Sequence, residues 1–159
     1  MQLHFSLLID KKPNYFVAKI WSSILNGLKV DENEPADYLQ YLSPDDRSRI
    51  NNVKPKLHTI RSDKTHSWKK GMSIQPVIGK NAESYRQFTP DLKCLNVQTI
   101  RIETVKDSTP DVIIDGKKLP LNKIQLLAHN DGFDDVNAFF SYFKGQYTGK
   151  LIHWTTLIY

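Results

Sequence analysis

The chain has 159 residues, of which 40% are hydrophobic and 25% charged, proportions that give an ordinary single domain one core and exclude a largely disordered protein. Its formal charge of +5 is unevenly placed: residues 47–70 hold eight basic residues and one acid, a local +7, which leaves the rest of the chain at −2. No apolar run approaches the ~20 residues that cross a bilayer, and the start lacks a basic leader and a small-residue cleavage site, so a cytoplasmic protein with no membrane partner is expected.

Leu3, Phe5, Leu7 and Ile9 alternate with polar residues, the period of a half-buried strand. After Pro13, the spacing of Phe16, Val17, Ile20, Trp21, Ile24, Leu25 and Leu28 predicts a helix with one buried stripe, closed by Asn26-Gly27. Residues 29–54 turn polar and read as an insertion, within which Ser43, Asp45 and Asp46 can start a short helix through Ile50. Strand-like segments follow at residues 57–61, 72–78, 94–103 and 112–114. Asp115-Gly116 suits a tight hairpin turn into 117–119. Asn122 can cap a brief helix carrying Ile124 and Leu127. Asp134 and Asp135 sit where a second helix would start, with Val136, Phe139, Phe140 and Phe143 as its buried stripe. Residues 150–159 close the chain as a strand. Strands interrupted by a few helices imply an α+β domain on a curled sheet, not alternating βαβ units.

Several chemistries are excluded by absence. There is no phosphate-cradling glycine loop, nucleophile elbow, helical zinc pair or calcium loop. Cys94 is the only cysteine, and the five histidines have no ligand spacing, so neither a metal nor another cofactor is expected. The basic cluster at 47–70 suits phosphates, whose neutralisation releases counterions, and equally suits a solvated loop.

Two short segments carry more. One is Lys56-Leu57-His58-Thr59-Ile60-Arg61, followed by Trp68-Lys69-Lys70-Gly71; the other is Ala128-His129-Asn130-Asp131-Gly132-Phe133, ahead of the aromatic helix. In an extended strand Lys56 and Thr59 fall on opposite faces, so they meet only if the strand bends or begins there, an entry that Pro55 suits.

Together these segments resemble the ASCH (activating signal cointegrator homology) family, in which a lysine precedes a Thr-Ile-Arg triplet and a lysine-glycine turn opens the next strand. The resemblance implies a PUA-like curled β-barrel with flanking helices, spanning residues 1–159 as one domain with the 29–54 insertion. Relatives of bacterial acetylcytidine amidohydrolase use a lysine, a threonine and an acid, roles that fall here on Lys56, Thr59 and Asp131. Other relatives are associated with RNA, which implies RNA or a modified nucleoside as partner. The chain departs from the family pattern at the insertion, at Asp131 in place of glutamate and at Gly71-Met72.

Three readings follow. As an amidohydrolase, Thr59 would attack an amide carbonyl after giving its proton to Lys56, with Arg61 or backbone amides stabilising the oxyanion. As a binding module, Lys56, Arg61, Lys64 and Lys70 would meet phosphates, Trp68 would stack on a base, and Asp131 would accept from an exocyclic amine; an RNA nuclease would use the same cations. In the third reading the segment is a non-catalytic protein-interaction domain.

Overall fold

The computed structural model describes residues 1–27, 38–79, 84–103 and 108–159. The chain divides into two units, Met1–Lys56 with Met72–Lys93 and Leu57–Gly71 with Cys94–Tyr159. Both contain strands and helices, so the α+β class read from the sequence holds. Among the described residues no sheet closes into a barrel, and no helix is long and apolar enough to cross a membrane.

The first unit begins with β1 (Gln2–His4), where Leu3 and then Phe5 are buried as the alternation predicts. The single strand expected through Ile9 breaks after Phe5. The Ser6 hydroxyl donates to the Leu8 carbonyl at 2.7 Å and accepts from the Leu8 amide at 3.2 Å, pulling the chain out of line and leaving Leu7 and Leu8 about half exposed. β2 (Leu8–Ile9) then turns through Asp10 and Lys11, both left-handed, and pairs with β3 (Lys12–Pro13).

Helix α1 (Phe16–Leu25) buries Phe16, Val17, Ile20, Trp21 and Ile24, and Gly27 ends it at φ 116°, as predicted. Leu25, expected in the buried stripe, is 55% exposed, and Leu28 lies outside the described residues, as does the 29–37 part of the insertion. Asn14 sets the entry to the helix. Its side chain accepts from the Phe16 amide at 2.9 Å and donates to the Ser6 carbonyl at 2.8 Å, which holds Tyr15 left-handed between them. Within the insertion, Ser43 caps α2 (Pro44–Arg49) by accepting from the Asp46 amide at 3.0 Å, with proline at the first helical position.

Three further strands complete this unit. β5 (Ser73–Ile78) runs parallel to β1 and antiparallel to both β6 (Arg86–Gln87) and β7 (Leu92–Lys93). Neither β6 nor β7 is evident in the sequence, because a two-residue strand shows no period. Trp21, fully buried, donates its indole N–H to the Phe88 carbonyl at 2.8 Å, tying α1 to the end of β6.

The second unit is a five-stranded antiparallel sheet in the order β10 (Lys117–Lys118), β9 (Asp111–Ile114), β8 (Asn96–Glu103), β11 (Tyr147–His153), β4 (His58–Arg61). The β9–β10 turn is the one expected at Asp115-Gly116, with φ 48° and 80°. β11 starts three residues before the predicted strand and stops at His153. Beyond it Thr155 donates to the Leu57 carbonyl at 3.3 Å, and Tyr159 exchanges hydrogen bonds of 3.0 Å with the Gln98 side chain. Those contacts draw the last six residues off the ladder. At mid-strand, a Cβ on Gly149 would fall 2.5 Å from the Arg61 carbonyl oxygen of the neighbouring strand. Gly149→Ala is therefore expected to destabilise the protein by about 1–3 kcal/mol, since a ladder carbonyl cannot move aside, and a urea melt measures it.

Two helices belong to this unit. α3 (Leu121–Asn130) begins at Pro120 with no side-chain cap, so Asn122 lies inside the helix and does not cap it. Ile124 and Leu127 are buried as expected. α4 (Val136–Tyr142) is capped by Asp135, which accepts from the Ala138 amide at 2.8 Å. Of the aromatic stripe, Phe139 and Phe143 are buried with Phe133, whereas Phe140 and Val136 are only half-buried, because α4 has fewer than two turns and turns only part of its face inward.

Candidate functional site

The register of β4, β11 and β8 sorts the candidate residues by face. Thr59 pairs with Ile152 and Arg61 with Lys150, and Lys150 in turn pairs with Thr99. Paired residues on antiparallel strands share a face, so Thr59, Arg61, Lys150, Thr99, Thr148 and Arg101 lie together on one side of the sheet. The accessible part of this side is polar: Thr99, Arg101 and Thr148 are exposed and Arg61 and Lys150 are half-buried, whereas Thr59 and its partner Ile152 are buried. The Lys150 ammonium donates to the Thr99 hydroxyl at 2.9 Å, and Arg101 meets Glu103 at 3.2 Å.

The loop after β4 continues the basic surface. Asp63 organises it by accepting from the Ser67 and Trp68 amides at 2.9 and 3.0 Å. Burial pushes its carboxyl upward, but these bonds, with the nearby His66 and Lys150 charges, outweigh that and hold it below the usual carboxylate range. Lys64, Lys69 and Lys70 are exposed and Trp68 is half-buried. Gly71 closes the loop in a left-handed conformation, its amide donating to the Cys94 carbonyl at 2.7 Å.

On the opposite face sits a buried polar cluster. His58 and His153, directly paired on β4 and β11, are both fully buried with ring centroids 5.3 Å apart. His58 Nε2 lies 2.9 Å from the Tyr159 hydroxyl, which also accepts from the Asn130 amide group at 2.9 Å, and His58 Nδ1 lies 3.6 Å from an Asp131 carboxylate oxygen. Neither ring nitrogen of His153 has a hydrogen-bond partner among the described residues. Burial, with His58 beside it, lowers the His153 pKa to about 3, so it stays neutral. Burial likewise raises the Tyr159 hydroxyl above the usual phenol range and Tyr147 to about 12, the latter against an opposing effect from Arg61. Burial also pushes the Cys94 thiol up, away from nucleophile chemistry.

Asp131 owes its position to a helix ending. It is the C-cap of α3; Gly132 follows at φ 90°, its amide donates to the His129 carbonyl, and the Phe133 amide donates back to the Ala128 carbonyl at 2.9 Å. The Asp131-Gly132-Phe133 segment thus has a structural use whatever its chemistry. Lys56 belongs to the first unit. There it is buried, its amide donates to the Lys19 carbonyl at 2.9 Å, and its ammonium stands 4.5 Å from the centroid of the Phe16 ring. Of the expected trio, Thr59 and Asp131 share the second unit, Thr59 on the polar side of the sheet and Asp131 beside His58.

Sequence reasoning does not single out His58, His153, Asn130 and Tyr159 as a cluster, nor Thr99, Arg101, Thr148 and Lys150 on the polar side. Strand pairing assembles the second set and joins His58 to His153, while Asn130 and Tyr159 arrive from a helix end and the chain's last residues; composition encodes neither, although the period-two pattern of 96–103 marks the latter side as polar. Among the described residues no group of three or more histidine, cysteine or acidic side chains is placed to hold a metal ion. Comparisons with protein-family models, curated proteins and solved structures give no match to this chain.

Proposed function

We propose that this is an ASCH-like protein, with sheets curled in the PUA-like manner, that binds RNA or a modified nucleoside within RNA. The observation that carries the reading is the polar side of the second unit's sheet, where Arg61, Arg101 and Lys150 stand among threonine hydroxyls and continue into a loop bearing Lys64, Lys69, Lys70 and Trp68. The cations neutralise phosphates and release counterions, the hydroxyls reach sugar or phosphate oxygens, and Trp68 offers a ring edge or face to an unstacked base. A sheet side with fixed strand spacing presents these groups in rows. Thr59 lies on the same side, so the amidohydrolase reading, with Thr59 as nucleophile, Lys56 as base and Asp131 as the acid, is tested on the same material.

Binding to labelled single-stranded RNA should weaken steeply with salt. Replacing Arg61, Lys64 and Lys150 together by glutamine is expected to flatten the slope of log affinity against log salt by about two units, near 0.7 for each phosphate no longer neutralised. An unchanged slope, or no binding at low salt, would sink the proposal. Incubation with acetylated cytidine provides the enzymatic arm: turnover that disappears in Thr59→Val would establish hydrolysis, and turnover that survives it would exclude Thr59 as the nucleophile.

A further inference from the structure

The first unit holds a small cavity of about 220 Å³ that the RNA reading does not use. Its floor is apolar, built from Phe16, Leu42, Ile78 and Phe88, and half-exposed Leu8 and Tyr41 stand around it. The volume is below the ~300–1,000 Å³ of sites for drug-sized ligands, so it accommodates little more than one apolar side chain. Asn14 and its flanking hydrogen bonds fix the wall where Tyr15 is held left-handed, which makes that part of the cavity preformed.

The charges lining it are distinctive. Asp45 is neutralised by Arg49, whose Nε lies 2.9 Å from its carboxylate and whose guanidinium stacks 4.2 Å from the Tyr15 centroid. Asp46 accepts only a hydroxyl hydrogen bond from Ser43, at 2.7 Å, and has no cationic partner among the described residues; Arg86, exposed on β6, has no anionic one. These two opposite charges line the same small cavity without pairing with each other. A lone cation there would suit a fatty acid and a lone carboxylate an amine, whereas both together suit a ligand that carries both charges next to an apolar group.

We infer that the first unit binds a free apolar α-amino acid, its side chain in the cavity, its carboxylate toward Arg86 and its ammonium toward Asp46. The test is a titration of the ¹⁵N-labelled full chain followed by NMR, with leucine, leucinamide, which lacks the carboxylate, and N-acetylleucine, which lacks the ammonium. Leucine should shift the amides of Phe16, Tyr41 and Ile78 saturably, and each blocked compound should bind about tenfold more weakly or worse, the worth of one charge-assisted hydrogen bond. In Arg86→Gln leucine should fall to the level of leucinamide, and in Asp46→Asn to that of N-acetylleucine. The comparison of the three compounds on the unmodified chain stands even if a variant loses its dispersed spectrum. Equal affinities for the three compounds, no saturable shift at the cavity with leucine, or a preference for leucine that survives Arg86→Gln in a folded protein would each overturn the inference.

Discussion

Phe139→Ala is expected to cost about 3–5 kcal/mol of stability, enough to unfold a substantial share of a marginally stable protein. Phe139 is fully buried, with its ring 5.0, 5.4 and 5.5 Å from those of Phe143, Phe140 and Phe133, and these ring contacts add to the area it removes from water. Its neighbours are fixed by the α3 ending and the Asp135 cap, so the cavity left behind cannot collapse fully. Phe140→Ala, one residue along but only half-buried, should cost clearly less. Chemical denaturation of the two variants side by side checks the order, and an equal loss from both would mean that α4 turns a different face inward.

Acid should weaken the protein through His153. Folding holds this imidazole neutral down to a pKa of about 3, against about 6.5 when it is exposed in the unfolded chain. Between those values the unfolded state binds a proton that the folded state refuses. The contribution is therefore fully present above pH 6.5 and declines as pH falls toward 3, by about 1.4 kcal/mol per unit and roughly 4–5 kcal/mol in all. His153→Leu removes the titrating group and, because neither ring nitrogen has a hydrogen bond among the described residues to lose, should keep its stability near neutrality. The difference between the two proteins' stabilities, measured at steps from pH 7 to pH 4, isolates this contribution from the carboxylates common to both. A constant difference would show that His153 is not the group responsible.

The legible parts of this chain are the ones whose signal is local. The stripe of α1, the Ser43 cap, the Asp115-Gly116 turn and the Asp135 start of α4 are all readable, because each depends on residues a few positions apart. The first strand reads too long because Ser6 overrides an alternation that the apolar residues alone continue through Ile9. The last strand reads too far along because its end is set by contacts with Gln98 and Leu57, distant in the chain. The candidate site divides the same way: Arg61, Lys64, Trp68 and Lys70 are visible as a basic run with an aromatic. The pairing of Arg61 with Lys150 and of Lys150 with Thr99 needs the register of three strands, and the cluster of His58 with Asp131 and Tyr159 needs the tertiary fold.

The chain passes from the first unit to the second, returns, and leaves again, so that residues 57–71 precede the segment that finishes the first unit. This order has a consequence for synthesis on the ribosome. β5, β6 and β7 are all available once residue 93 has emerged, and the first unit can then complete its strand pairing with β1. β4 has no such opportunity. Its partner is β11, whose last residue is His153, so at ~5–20 residues per second the strand waits roughly 5–18 seconds with its backbone unpaired. During that interval it is a short open edge, but it carries Arg61 and has Lys54 and Lys56 before it and Lys64 after it, and those charges discourage it from pairing with another nascent chain.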